Sequence, residues 1–288
     1  MLSGWFISME PVFYVNGEFL PQSRASLSVL DIGFLRGFGV FDFTITYERE
    51  PFRLRDHLER LRNSAGIIGL DLPWSLEELK ALVYETLDRN PEGEQGIRII
   101  VTGGESPDSL SLSGQPSLVI IVKPLRAYPR EFFTKGIRVI TFPARREIPE
   151  AKTLNYIHAI RALKQAKMKG AEDAIYSWGG ALYECTACSL FAVKDGKIIT
   201  AGRGVLDGIT RRTVLELIRD RIPIEYRFIR TSEISSLDEA FLTSSSHEVM
   251  PITVIDDIRI GDGKPGPVTR EVMRLFGEYT GKELPHEP

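Results

Sequence analysis

The stretch AKTLNYIHAI, Ala151 to Ile160, decides how this chain is read. A lysine, Lys152, stands at the mouth of what otherwise reads as a buried amphipathic helix, and Thr-Leu-Asn-Tyr follows it. Such a lysine is either a solvated N-terminal residue or a nucleophile held where something small must be attacked. A nucleophilic amine must be neutral, so it needs a partly desolvated position. The rest of the chain arbitrates.

Working outward, the 288 residues are 43% apolar, enough for one large or two ordinary domains with real cores. The net charge is -3 and no block of like charge reads as a nucleic-acid patch, so no polyanion partner is expected. No apolar run reaches membrane-spanning length, and the start MLSGWFISMEPVFYVNG lacks the charged-then-apolar layout of a signal peptide. A cytoplasmic protein is the expectation. The two cysteines form Cys185-Thr-Ala-Cys188 inside ALYECTACSLFAV, which reads as strand. A thioredoxin-like pair needs a helix N-terminus, and a zinc site needs two further ligands that no His or Cys cluster offers. Buried apolar cysteines, and no metal, are expected.

FYVNGEFL reads as a hairpin around Asn16-Gly17, and FGVFDFTITYEREPFRL as two strands joined at Glu48 to Glu50. Leu54, Leu58, Leu61 and Ala65 share one helical face, and Ser75 with Glu78 forms a capping box before SLEELKALVYETLDRN. GIRIIVTGG and PSLVIIVKP read as strands. LRAYPREFFTKG carries two turn signals and reads as a linker. Beyond it come IRVITF, the Lys152 helix ending near Gly170, strands through AEDAIYSW and the cysteine segment, a helix from Thr210 to Asp220, the strands IEYRFI and EAFLTSSS, and a last helix VTREVMRLFGEY. The order gives an α+β fold in two domains: a small N-terminal α/β domain over 1–125, a linker over 126–134, and a larger β-rich domain with helices over 135–288.

Four pieces accompany Lys152. In LDGITRRTVLELI, Gly208 permits a turn and Thr210 is a good N-cap, so the N–H groups of Ile209 and Thr210 would offer an anion site; alone this is an ordinary capped helix. In FLTSSSHEVMP, three serines at a strand end suit phosphate oxygens; alone this is a polar loop. In RDHLERL, Arg60 stands one helical turn after His57, and arginine is a natural partner of phosphate, although most arginines are surface residues. Glu184 stands on a strand of small and apolar residues, where it needs a partner: a protonated ring nitrogen, or an arginine in an internal salt bridge. With Lys152 these pieces specify a phosphate, a pyridinium nitrogen and an aldehyde carbon, which together are pyridoxal 5'-phosphate.

At these residues the chain resembles the fold-type IV pyridoxal-phosphate enzymes, the class IV aminotransferases, which include branched-chain and D-amino acid aminotransferases and aminodeoxychorismate lyases. GFGVFDF, DHLERL, KTLN, YECTACSLF, LDGITR, FLTSSSHEVMP and GPVTREV stand in the family's order, from about Phe13 to Phe276. The resemblance implies that Lys152 joins the cofactor covalently and shuttles the proton, and that Glu184 pairs with the ring nitrogen. It implies that Arg60, Ile209, Thr210, Ser244 and Ser245 hold the phosphate. It also implies an active site between the two domains, completed by a loop of a second subunit, hence a homodimer acting on amino acid and 2-oxo acid substrates. Ser189 departs from the family's usual asparagine.

Within the family three readings compete. The short K-x-L-N spacing resembles the D-amino acid enzymes and the lyases, whereas branched-chain enzymes typically carry one more residue there. The lyases usually have threonine where Asp42 stands. The D-amino acid enzymes usually trap the carboxylate with a tyrosine and an R-x-H motif. Here Phe41 replaces the tyrosine, and TGGESPD, with Gly103 and Gly104, replaces the motif. Arg36 and Arg98 are the alternatives for the carboxylates, with Phe41 and Ser246 also facing substrate; for each arginine the competing reading is an intramolecular ion pair. The expectation is a transaminase moving the amino group of a D-amino acid to 2-oxoglutarate or a similar acceptor. An L-branched-chain enzyme is the alternative, and a lyase the third. A non-catalytic phosphate binder would need neither Lys152 nor Glu184.

Overall fold

The computed structural model describes residues 10–282. Residues 1–9, part of the N-terminal stretch read above, lie outside them, as does the C-terminal end of the larger domain. The chain divides into two compact units, 1–126 with 152–154, and 127–151 with 155–288.

The first unit runs β1 (Val12–Val15), β2 (Glu18–Pro21), α1 (Ile32–Arg36), β3 (Gly39–Tyr47), β4 (Glu50–Pro51), α2 (Leu54–Ile67), α3 (Leu76–Asp88), β5 (Gln95–Thr102) and β6 (Ser117–Pro124). Its antiparallel sheet has the order β2-β1-β6-β5-β3-β4. Asn16 and Gly17 make the first hairpin with positive φ at both positions, and Glu48 and Arg49 do the same between β3 and β4. Leu54, Leu58, Leu61 and Ala65 pack with Leu79, Val83 and Leu87 against Val40, Ile97, Ile99, Val101, Leu118, Ile120 and Val122. The Ser75–Glu78 capping box is formed. Burial alternates along β5, with Ile97 and Ile99 in the core and Arg98 outside, as the period of a strand requires.

The second unit runs α4 (Arg130–Thr134), β7 (Ile137–Pro143), α5 (Ile157–Met168), β8 (Asp173–Trp178), β9 (Ala181–Cys185), β10 (Ser189–Lys194), β11 (Lys197–Thr200), α6 (Ile209–Ile218), β12 (Ile224–Tyr226), β13 (Ile229–Arg230), a 3-10 turn over Thr231–Ser236, β14 (Glu239–Ser244), β15 (Glu248–Ile255), β16 (Ile258–Arg259) and α7 (Pro267–Thr280). The sheet order is β12-β11-β10-β14-β15-β7-β8-β9-β13, with β16 beside β15. Strands β7 and β8 are parallel, so α5 is a crossover helix. It packs through Ala162 and Ala166 onto Ile140, Ala174 and Tyr176. Glu239 accepts from the N–H groups of Val268 (2.9 Å) and Thr269 (2.6 Å) and so caps α7.

Four expectations change. The helix after Lys152 begins only at Ile157, and its buried face is alanine; Ile157 and Ile160 are exposed. Gly208, not Thr210, is the N-cap of α6. The linker read over 126–134 contains α4. Residues 152–154, read into the larger domain, group with the first unit. The last difference has a direct cause: the backbone there bonds to β3.

Candidate active site

The first unit builds its part of the site around β3. Lys152 accepts at its carbonyl from the Phe41 N–H (2.9 Å), and the Leu154 N–H donates to the Gly39 carbonyl (3.0 Å). A bridge joins Val40 to Thr153. The close approach needs Gly39, because a Cβ there would stand 2.6 Å from the Val101 carbonyl and 2.7 Å from the Leu154 side chain. The Lys152 N–H donates to the buried Ser64 hydroxyl at 3.0 Å. Lys152 is 8% exposed, with Nζ 4.8 Å from the centre of the Phe41 ring. The lysine is therefore held by backbone pairing, leaving its amine to reach over an aromatic face.

Helix α2 carries a second stripe beside its apolar one. His57, Arg60 and Ser64, at i, i+3 and i+7, are all buried. Arg60 grips Asp42 in a bidentate pair, Nε to Oδ2 at 2.9 Å and Nη2 to Oδ1 at 2.8 Å. His57 Nδ1 lies 2.6 Å from the same carboxylate. Burial opposes the charge on Asp42, but Arg60 and His57 outweigh it and hold the carboxyl well below the usual range. Burial pushes His57 down, so it is neutral and donates from Nδ1. Its Nε2 is buried with no hydrogen-bond partner among the described residues.

Arg98 is exposed on β5, its guanidinium 5.3 Å from the Phe41 ring centre and 5.5 Å from that of Phe43. Lys152 and Arg98 thus share one ring. Arg36 ends α1 and is exposed; it donates to the carbonyl of its own neighbour Leu35 at 3.1 Å. Helix α1 is anchored by Asp31, which is buried and accepts from the Gly33 N–H and from the hydroxyls of Thr102 and Ser117. Gly104 has a φ of 75° and no room for a Cβ, which would lie on the Gln115 carbonyl. A Cβ on Gly103 would stand 2.7 Å from the Ile32 and Leu112 side chains, so neither glycine leaves room for a side chain at this place.

The second unit holds the remaining residues. Glu184, 6% exposed, accepts from the Leu206 N–H at 3.2 Å and lies 3.7 Å from Arg146 Nη1. The arginine partner weighed for Glu184 is thus present. Arg146 also donates to the carbonyls of Pro149 and Ala151, bracing the β7–α5 connection; it is a residue the sequence reading missed, although it stands six positions before Lys152. At the start of α6, Gly208 gives no side-chain cap, and the N–H groups of Ile209 and Thr210 have no carbonyl a turn behind them. A Cβ on Gly208 would lie 2.6 Å from the Ser189 hydroxyl. The position where the family usually has asparagine thus packs against that helix start.

Ser244 ends β14, and Ser245 and Ser246 open the turn to β15. Ser244 Oγ accepts from the His247 N–H (3.1 Å) and lies 2.9 Å from His247 Nδ1. Ser246 Oγ is 3.3 Å from the same nitrogen, and the ring stacks on Tyr128 at 4.3 Å. Thr243 Oγ1, just before the turn, is buried without a partner among the described residues. Tyr128 and His247 were also missed; each is legible only once the turn is folded.

Burial lowers His247 to about 4. The unfolded imidazole takes its proton near 6.5, so stability is full above that pH and is lost as pH falls toward 4. Replacing His247 by Gln is expected to remove of order 2 kcal/mol of this loss. Melting curves of both proteins between pH 7 and 4.5 check it, and parallel curves would contradict it.

Both cysteines are free and buried. Burial pushes the Cys185 thiol well up, which suits packing rather than redox work. Cys185→Ala is expected to keep cofactor affinity, with or without reductant; loss of binding would revive the redox reading. No group of His, Cys, Asp and Glu among the described residues is placed to hold a metal, and no helix there is long and apolar enough to cross a membrane. A cavity of about 870 Å³ in the first unit, lined by Tyr14, Trp74 and Ser117 among others, includes none of the predicted residues.

The chain has clear counterparts among known proteins. Residues 39–255 match the model of amino-transferase class IV. A D-alanine aminotransferase of Staphylococcus epidermidis is 33% identical over 272 residues, 92% of this chain and 96% of that one. Among solved structures, the branched-chain amino acid aminotransferase of Escherichia coli is similar with a TM-score of 0.88 at 26% identity, over 95% of this chain and 96% of that one. The branched-chain aminotransferase of the thermophilic archaeon Thermoproteus uzoniensis, solved with norvaline, gives 0.86 at 31% identity, over 94% of this chain and 95% of that one. The chain belongs to the class IV aminotransferase family.

Proposed function

We propose that this aminotransferase takes the amino group of a D-amino acid and passes it to a 2-oxo acid such as 2-oxoglutarate. Class IV aminotransferases depend on pyridoxal 5'-phosphate, and the donor set fits that group. Glu184 is a buried carboxylate for a protonated ring nitrogen. The α6 start at Ile209 and Thr210, the serines Ser244 and Ser245 with the Thr243 hydroxyl that has no partner among the described residues, and the Arg60 guanidinium suit a phosphate. Lys152 supplies the amine. When bound, the cofactor acts as electron sink for the bonds at the substrate α-carbon. Lys152 then moves the α-proton, a task that needs a neutral amine held in place. The pairing of residues 152–154 with β3 provides that hold.

The observation that carries the substrate assignment is the Phe41 ring, with Lys152 and Arg98 both over it. A cation so placed reads a carboxylate on the molecule that Lys152 deprotonates, and Arg36 and Ser246 are proposed to complete the contact. The short K-x-L-N spacing and the D-alanine aminotransferase relatives support the D-donor. The apolar platform of Phe41 and Phe43 favours a second reading, an L-branched-chain donor. A homodimer is also proposed; exposed Val29, Phe34 and Leu110 in the first unit and Ile157, Ile160 and Met168 in the second give it apolar surface.

The test is a pair of half-reactions on the cofactor-loaded protein, one with D-glutamate and one with L-leucine. Loss of the cofactor's visible absorbance with D-glutamate alone is expected. Loss with L-leucine alone would make this a branched-chain enzyme.

A further inference from the structure

Asp42 has no exposed surface and lies in the grip of Arg60 and His57. Judged by charge alone, it is the wrong group to place there. Arg60 is read above as a phosphate ligand, and a carboxylate 2.8 Å from its Nη2 cancels part of its pull on any anion. The geometry gives the carboxylate another use. A bidentate pair fixes the plane of a guanidinium, which on a free side chain would sample many rotamers. His57 supports the arrangement from the same helix face. Neutral, it donates to Asp42 without adding a second positive charge, so the buried set carries one negative and one positive group.

We propose that Asp42 is a positioning residue for anion binding: it aligns Arg60 toward the cofactor phosphate, at the expense of raw attraction. The inference rests on the reading of Arg60 as a phosphate ligand. It has a sign that a mere counter-ion role lacks. Removing a counter-ion tightens anion binding, whereas removing an aligner weakens it.

The experiment is a double-mutant cycle on the full chain, using Asp42→Asn, Arg60→Gln and the double variant. It reads the dissociation constant of pyridoxal 5'-phosphate and inhibition of its binding by inorganic phosphate. Asp42→Asn is expected to weaken binding roughly 10- to 100-fold, the range of a hydrogen bond to a charged group. The double variant should bind no worse than Arg60→Gln, because Asp42 acts only through Arg60. Unchanged or tighter binding by Asp42→Asn overturns the inference, and so does a loss that adds to that of Arg60→Gln. Unchanged binding by Arg60→Gln overturns the phosphate role of Arg60 together with it. Should Asp42→Asn fail to fold, Asp42→Glu carries the test: it keeps the charge and displaces the carboxylate, so binding at the wild-type level overturns alignment.

Discussion

Lys152→Ala is expected to bind pyridoxal 5'-phosphate without a covalent link and to transfer amino groups at least about 10²- to 10⁴-fold more slowly, the contribution of a positioned proton carrier. The fold should survive. The contacts that dock this segment, from Phe41 to the Lys152 carbonyl, from Leu154 to Gly39 and from Lys152 to Ser64, use the Lys152 backbone and not its side chain. The truncation removes the amine that lies over the Phe41 ring and leaves these backbone contacts in place. Borohydride treatment of the wild-type protein followed by peptide mass analysis should find the cofactor fixed at Lys152. Fixation at any other lysine would sink the assignment.

The parts of this chain that were legible in sequence are those decided by neighbours along the chain. The apolar stripe Leu54, Leu58, Leu61 and Ala65, the Asn16-Gly17 hairpin and the Ser75–Glu78 box each need only a local period or a single turn. The second stripe of α2 was not legible as a set. His57, Arg60 and Ser64 are buried because Asp42 and Lys152 arrive from distant segments to pair with them. Residues 152–154 were placed in the larger domain for the same reason: what ties them to the first unit is their pairing with β3, more than a hundred residues earlier. Strand β15 escaped notice because Pro251 interrupts its pattern; proline is seldom found inside a sheet. The segment after Lys152 reads as a buried amphipathic helix, and the close approach of α5 to β7 and β8 is made by alanines, with Ile157 and Ile160 left exposed. The candidate site was legible through its family pattern, since no single piece of it would have stood alone.

Truncating the two candidate carboxylate readers is expected to separate them. Arg98 lies over Phe41 beside Lys152, whereas Arg36 is exposed at the end of α1 and bonds only to the Leu35 carbonyl among the hydrogen bonds described for it. A charge-assisted contact to a carboxylate contributes about 1.5–3 kcal/mol. Loss of one that reads the α-carboxylate should therefore raise KM roughly 10- to 100-fold for every acceptor, pyruvate and 2-oxoglutarate alike. Loss of one that reads the second carboxylate should penalise 2-oxoglutarate and spare pyruvate. Arg98, sharing a ring with the amine, is expected to behave in the first way, and Arg36→Ala in the second. Steady-state constants for both acceptors in Arg98→Ala and Arg36→Ala decide the matter. Equal losses for both acceptors in Arg36→Ala would show that it does not read the second carboxylate. Retention of wild-type KM in Arg98→Ala would leave the Phe41 platform without a carboxylate to read, and with it the substrate assignment would lose its main support. The ring itself offers an internal control: Phe41→Leu keeps the apolar surface but removes the aromatic face over which the Arg98 guanidinium and the Lys152 amine lie, so it should weaken acceptor binding less than Arg98→Ala while still slowing turnover.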